Sequence, residues 1–191
     1  MRTWIAEADR LDRALYRTLA RVHTPRLDVA MRRLSRAANH SRLSIGCAAL
    51  LALTGERGRR AAQSGLLAAF TTAALVNALL KPFGRRARPD RAGARIPLAR
   101  HVRMPASRSF PSGHTAAAVA FAAGAGRELP AARLPLGVLA AAVGYSRVHT
   151  GVHYPGDVLA GAALGIGVAA ATARIAPRRS DAAPAAHEPA L

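Results

Sequence analysis

Two uncharged stretches set the scale of this chain. Residues 61–80 (AAQSGLLAAFTTAALVNALL) carry no charge, and neither do residues 158–173 (VLAGAALGIGVAAATA). Twenty helical residues rise about 30 Å, the thickness of a bilayer's hydrocarbon core. Arg174 closes the second stretch, where a long basic side chain can reach back toward headgroups. Three shorter apolar runs, 43–55, 115–126 and 134–146, need neutral neighbours or a terminal arginine to reach spanning length. The pattern predicts an all-α chain, an integral membrane helical bundle of about five to six transmembrane helices. A soluble alanine-rich bundle competes with it on hydropathy alone. The chain has 47 alanines in 191 residues, and its mean hydropathy is only +0.10.

Residues 1–38 read differently. Trp4, Ala8, Leu11, Leu15, Leu19 and Val22 recur at helical spacing with charges between them. Thr24-Pro25 then looks like a cap with proline in the first turn, and Leu27, Ala30, Met31 and Leu34 continue a second stripe. An arginine-rich amphipathic pair of this kind suits the membrane interface. A helical hairpin packed on the rest of the domain suits the pattern equally. Acids and arginines interrupt the start, so no signal peptide is expected. Residues 39–176 form the expected membrane domain. Residues 177–191 (PRRSDAAPAAHEPAL) are expected to be a disordered tail. Gly161 and Gly165 form a GxxxG pair suited to close helix approach. The single cysteine, Cys47, excludes a disulfide scaffold and is expected to be a small packing residue.

Charge changes the picture. There are 28 basic and 10 acidic residues, a net charge of +18, and Lys81 is the only lysine. Such a chain seeks anions: nucleic acid, an acidic membrane surface or a phosphorylated substrate. Nucleic acid is disfavoured as a partner, because the arginines interleave with membrane-length runs and only 4% of residues are aromatic. The basic residues are also unevenly placed. Residues 81–112 hold nine of them against one acid, Asp90, and residues 146–157 (SRVHTGVHYPGD) are dense in functional groups. Following the apolar runs as successive spans brings these two segments to the same side of the membrane.

Three motifs lie there. Lys81 stands seven residues before Arg88-Pro89. Pro111-Ser112-Gly113-His114 opens an apolar run. Ser146-Arg147 is followed after five residues by His153, and after three more by Asp157. Their order and spacing resemble the three-part signature of the type 2 phosphatidic acid phosphatase superfamily, over roughly residues 39–176. The segment around the motifs is similar to the phosphatase part of bacterial proteins that also carry a lipid-kinase-like domain, though no such second domain is expected here. The resemblance implies a bacterial plasma-membrane enzyme that acts on a lipid phosphate or diphosphate, with its site facing outward. The arginine excess on that face points the other way under the positive-inside rule. Membrane lipids are the implied surroundings, and the oligomeric state is left open.

The resemblance also implies roles. His153 is the nucleophile, Asp157 orients it, and His114 is the general acid and base. Lys81, Arg88, Ser112, Gly113 and Arg147 bind phosphate. The residue types suit that chemistry: three cations for an anion in phosphoryl transfer, imidazole for a covalent intermediate, and a helix start for phosphate oxygens. These cations supply the positive charge, so no metal or cofactor is expected. Several alternatives stand beside this reading. Ser112 and Asp157 could be helix caps. His149, His153 and Asp157 are four apart, as metal ligands on one helix face would be, although Pro155 and Gly156 disfavour a regular helix there. His149 has no signature role and reads as a local hydrogen-bonding residue. Arg85, Arg86, Arg91, Arg95, Arg100, Arg103 and Arg108 read as a solvated or headgroup-facing surface. A lipid phosphotransferase could use the same phosphohistidine. The related vanadium haloperoxidases are soluble, which the apolar runs argue against.

Overall fold

The computed structural model describes residues 2–175, which form seven helices and no strand. They are α1 (Arg2–Arg21), α2 (Pro25–Ala37), α3 (Arg42–Ala52), α4 (Glu56–Phe83), α5 (Gly113–Glu128), α6 (Arg133–His149) and α7 (Pro155–Ile175). The expected tail at 177–191 lies outside the described residues.

Local chemistry starts these helices. Pro25 occupies the first turn of α2, but the Thr24 hydroxyl donates to the Asp28 carboxylate at 2.9 Å instead of capping the backbone. Pro155 opens α7, and the Tyr154 N–H donates to Asp157 Oδ2 at 2.9 Å. A third-position acid reaching back to the residue before the helix is one half of a capping box. Asp157 is therefore a first-turn residue of a helix that begins at Pro155, not the cap of one beginning at 158. Ser112 precedes α5 without a side-chain cap; its hydroxyl pairs with that of Thr115 at 2.9 Å.

α5 sits at the centre, with α4, α6 and α7 packed around it. The close approach depends on small residues. A Cβ on Gly161 would lie 2.5 Å from the Ser112 carbonyl oxygen, and one on Gly165 would lie 2.4 Å from that of Ala116. The GxxxG pair thus seats α7 on α5 backbone to backbone, as its spacing predicts. The buried faces are mostly alanine: Ala61, Ala68, Ala69, Ala116, Ala120 and Ala125 are wholly enclosed.

The large apolar side chains point outward. Leu50, Leu53, Leu67, Phe70, Leu79, Leu134, Val138, Leu159 and Ile166 are all exposed. Small inside and large outside reverses the order of a water-soluble core and suits helices solvated by lipid. This argues against the soluble bundle that hydropathy left open. α4 and α7 are each long and apolar enough to cross a bilayer.

The N-terminal helices pack on this bundle through polar contacts. Asp28 of α2 is buried; it accepts from Arg100 Nε at 2.8 Å and pairs with His149 Nε2 at 2.8 Å. Trp4, Leu11 and Leu15 of α1, and Val22 just past its end, remain exposed. Of the predicted apolar stripe, Leu19 alone is packed against a buried cluster, with Tyr16, Ala20, Ile96, Val148 and Tyr154.

Candidate active site

The two polar segments meet at one end of the bundle, as the order of spans predicts. Arg88 from the 81–112 segment donates through Nη1 to the Val152 carbonyl at 2.7 Å, and lies 3.3 Å from His153 Nε2. His153 is 1% exposed. Its other nitrogen, Nδ1, lies 3.5 Å from Asp157 Oδ2 and 3.5 Å from Ser109 Oγ. That arrangement favours the tautomer with the proton on Nδ1, leaving the Nε2 lone pair facing the guanidinium. Asp157 is held on both oxygens. Oδ2 accepts from Ser109 Oγ at 2.5 Å and from the Tyr154 N–H, while Oδ1 accepts from Arg86 Nη1 at 2.8 Å.

Burial pushes the His153 imidazole down to about 4, outweighing the opposing hydrogen bond to Asp157; Arg88 adds to the drop. The ring is therefore neutral at pH 7, as a nucleophile must be. The sign for stability follows. An unfolded histidine takes its proton near 6.5, while the folded one waits until about 4. Stability from this group is full above pH 6.5 and falls as pH drops through the window to about 4. NMR of histidine-labelled protein should show His153 still neutral at pH 5, with the resonance assigned by its loss in His153→Gln. A midpoint near 6.5 would contradict the burial.

The remaining signature residues surround this pair. Lys81 Nζ donates to Ser107 Oγ at 3.0 Å. Arg88 also binds Ser107, through Nε to its carbonyl at 2.7 Å and through Nη2 to its hydroxyl at 3.3 Å. Arg147 donates through Nη1 to the Ser35 carbonyl at 2.8 Å and hydroxyl at 2.6 Å. Its Nε is buried with no partner among the described residues. His114 Nε2 donates to Asn39 Oδ1 at 3.0 Å, and the ring lies within electrostatic reach of Arg147, His153, Lys81 and Arg88. A Cβ on Gly113 would lie 3.3 Å from Val76 Cγ1 and 3.9 Å from Lys81 Nζ, so glycine keeps the floor low beside the ammonium.

A cavity of about 600 Å³ opens here, lined by Asn39, Lys81, Arg103, Gly113, His114 and Arg147, with no carboxylate in its wall among the described residues. Leu43, Ala117, Ala118 and Val143 continue the wall as an apolar side. Cations without a counter-ion, beside an orphaned guanidinium N–H, make a place for an anion. Arg88, Ser112, His153 and Asp157 stand behind this wall. Arg88 covers His153 Nε2, so an entering phosphate must draw that guanidinium toward itself to reach the nitrogen.

The Ser112 N–H donates to the Asp157 carbonyl at 2.9 Å and its hydroxyl pairs with that of Thr115, outside the cavity lining. Ser112 thus ties α5 to α7. One sequence reading changes. Arg86, Arg91 and Arg100 are not surface groups. Arg86 binds Asp157, Arg91 donates to the Gly151 and Val102 carbonyls, and Arg100 is 1% exposed. Arg85, Arg95, Arg103 and Arg108 are exposed, as expected. His149 turns to Asp28 and away from His153, and no group of three His, Cys, Asp or Glu side chains that could hold a metal ion is present among the described residues.

The site also uses residues that the motifs do not name: Ser35, Asn39, Arg86, Ser107 and Ser109. No local pattern marks Ser107 and Ser109, because they sit in an irregular bend and meet partners from other segments.

Residues 62–181 match the family described as the PAP2 superfamily. The chain belongs to this superfamily. Among PAP2 relatives, it is 40% identical over 96 residues to decaprenylphosphoryl-5-phosphoribose phosphatase of Mycobacterium tuberculosis, covering 48% of this chain and 49% of that protein. It is 38% identical over 96 residues to lipid A 1-phosphatase of Rhizobium etli, covering 48% and 40%. The chain thus spans about half or less of the length of the curated relatives it matches. The fold is similar to that of the transmembrane PAP2-type phosphatidylglycerolphosphate phosphatase from Bacillus subtilis, with a TM-score of 0.70, 25% identity and coverage of 92% and 89%. It is also similar to Aquifex aeolicus LpxE, with a TM-score of 0.65, 27% identity and coverage of 84% and 93%.

Proposed function

We propose that this PAP2 protein is a metal-independent phosphatase of a lipid phosphate or diphosphate, working through a phosphohistidine. The observation that carries the proposal is the convergence of His153, its Asp157 partner, His114 and three cations beside one carboxylate-free cavity. Lys81, Arg88, Gly113 and Arg147 hold the phosphate. His153 Nε2 attacks phosphorus as the bond to the leaving oxygen breaks, and His114, protonated once the anionic phosphate sits among the cations, gives that oxygen its proton and becomes neutral. Asp157 steadies the positive ring, as the acid does in a serine triad. Water, deprotonated by His114, then attacks phosphorus and displaces His153. Ser112 supports the site by joining the start of α5 to Asp157.

The apolar side of the cavity suits a lipid tail. The named substrates of the relatives, a polyprenyl-linked sugar phosphate, a lipid A phosphate and a glycerolipid phosphate, share a phosphate on a lipid anchor. Phosphatidic acid, a phosphatidylglycerol phosphate and a polyprenyl diphosphate are the classes to try. In this reading α3 to α7 make five crossings of a bacterial plasma membrane within the 39–176 domain, and residues 1–38 add an amphipathic pair. The site-bearing face is assigned to the outside on family resemblance, against an arginine excess of which Arg86, Arg88 and Arg147 serve the site.

The test uses the full chain in detergent with EDTA and a panel of these lipids. Inorganic phosphate is expected from at least one. No release from any, or release that EDTA abolishes, overturns the proposal. Phosphate that moves to an added lipid acceptor instead of to water would identify the phosphotransferase alternative.

A further inference from the structure

α1 is mounted the wrong way round for a helix of a water-soluble hairpin. At 3.6 residues per turn, Trp4, Leu11 and Leu15 fall within roughly 40° of one another, Val22 follows the helix end, and Asp9, Asp12, Tyr16 and Ala20 lie on a different face, centred about 120° away. The apolar set is the exposed one, at 62%, 66%, 56% and 50%. The acidic set faces the domain. Asp12 Oδ1 accepts the Gly156 N–H at 2.7 Å, and Asp12 Oδ2 accepts from Arg86 Nη2 at 2.6 Å. Asp9 Oδ1 takes the same Nη2 at 2.9 Å. Arg86 lies over the Tyr154 ring, 4.3 Å from its centroid, and its Nη1 reaches Asp157. A continuous chain of charged contacts therefore runs from α1 through Arg86 to the partner of His153.

We propose that α1 is an interfacial helix: its outer face seats on an anionic lipid surface, and its inner face holds Asp157 in place through Arg86. Three observations name the occupant. Gly156 is in the first turn of α7, so α1 lies where a candidate span leaves the bilayer. The outward leucines are as exposed as the large apolar side chains on the outside of the bundle. Arg10, Arg17 and Arg21 are exposed along one flank of the apolar stripe, where acidic headgroups would meet them. Arg86 is a positioning residue here. It fixes the carboxylate and does not touch the phosphorus. Asp9 and Asp12 neutralise it, so Asp157 stays a full partner for the imidazole.

The chain supplies its own probe, because Trp4 is its only tryptophan. The full chain is reconstituted in vesicles of brominated phosphatidylcholine, with and without brominated phosphatidylglycerol. Trp4 emission should be quenched, and more strongly when the anionic lipid is present. Unquenched emission overturns interfacial seating, and equal quenching overturns the anionic preference. The coupling rests on the proposed phosphatase activity. In Arg86→Gln and Asp12→Asn, kcat should fall about tenfold to a hundredfold, the range a charge-assisted hydrogen bond commands, with KM little changed. Arg86→Lys should recover part of it. Helical circular dichroism and monodisperse elution check that each variant folds. Leu11→Gln/Leu15→Gln should weaken both Trp4 quenching and turnover in vesicles. Wild-type kcat in the Asp12 and Arg86 variants, a loss confined to KM, or full turnover with Trp4 unquenched overturns the coupling. A wild type with no lipid phosphatase activity defeats the functional reading instead, and leaves the Trp4 result intact.

Discussion

His153→Ala in detergent-solubilised protein is expected to release almost no phosphate from a lipid phosphate that the wild type hydrolyses steadily in EDTA. The loss should be on the order of 10⁴-fold or more, as when other enzymes lose a covalent nucleophile. Water cannot replace the imidazole, because the neutral ring combines a lone pair with a position fixed against the cations. Arg88 Nη1 lies 3.3 Å from Nε2, so an oxyanion gripped by that guanidinium is brought beside the attacking atom. The fold should survive. Asp157 keeps Ser109, the Tyr154 N–H and Arg86 when the ring is removed, so no buried charge is stranded. The thermal midpoint, read beside the rate, separates loss of chemistry from loss of structure. An active variant, or a wild type silenced by EDTA, would end the phosphohistidine account.

Fixed spacing made part of this site legible in the sequence. Seven residues from Lys81 to Arg88-Pro89, and five then three around His153 and Asp157, survive any rotation of the helices that carry them. GxxxG likewise reports backbone contact, and α7 meets α5 at Gly161 and Gly165. What could not be read was which arginines are inside. Arg86 and Arg100 look alike in composition, and their partners Asp157 and Asp28 are 71 and 72 residues away. Nothing local marks an arginine whose carboxylate arrives from another helix. Periodicity marks a stripe on α1 but gives it no direction. Whether it points to protein or lipid depends on Asp9 and Asp12, which sit at i and i+3 on a different face. Hydropathy alone could not choose lipid over water, because alanine is nearly neutral on that scale. The choice came from placement, with Ala68 and Ala120 enclosed while Leu53 and Leu159 are exposed.

Asp28→Ala is expected to be the most destabilising single change away from the catalytic residues, costing about 3–5 kcal/mol, the usual penalty for removing one partner of a buried ion pair. Arg100 is 1% exposed, and Asp28 is its anion. The guanidinium also donates to the Leu19, Ala20 and Val22 carbonyls, which covers the last turn of α1. Those neutral acceptors would remain in the variant, but the charge would have no counter-ion in a site that water does not reach. His149 Nε2 would lose its acceptor in the same step. Asp28→Asn should cost less, because an amide oxygen still accepts from Arg100. The effect should extend into the site. Ser35 lies two turns along α2 from Asp28 and holds Arg147 by two hydrogen bonds, so an α2 that loosens at Asp28 releases Arg147, a cation proposed to bind phosphate. Denaturation in detergent should show the stability loss, and KM for a lipid phosphate should rise in Asp28→Asn at temperatures where it remains folded. A variant Asp28→Ala within about 1 kcal/mol of wild type would place this pair in the weak class of solvent-screened bridges and remove Asp28 as the anchor of α2.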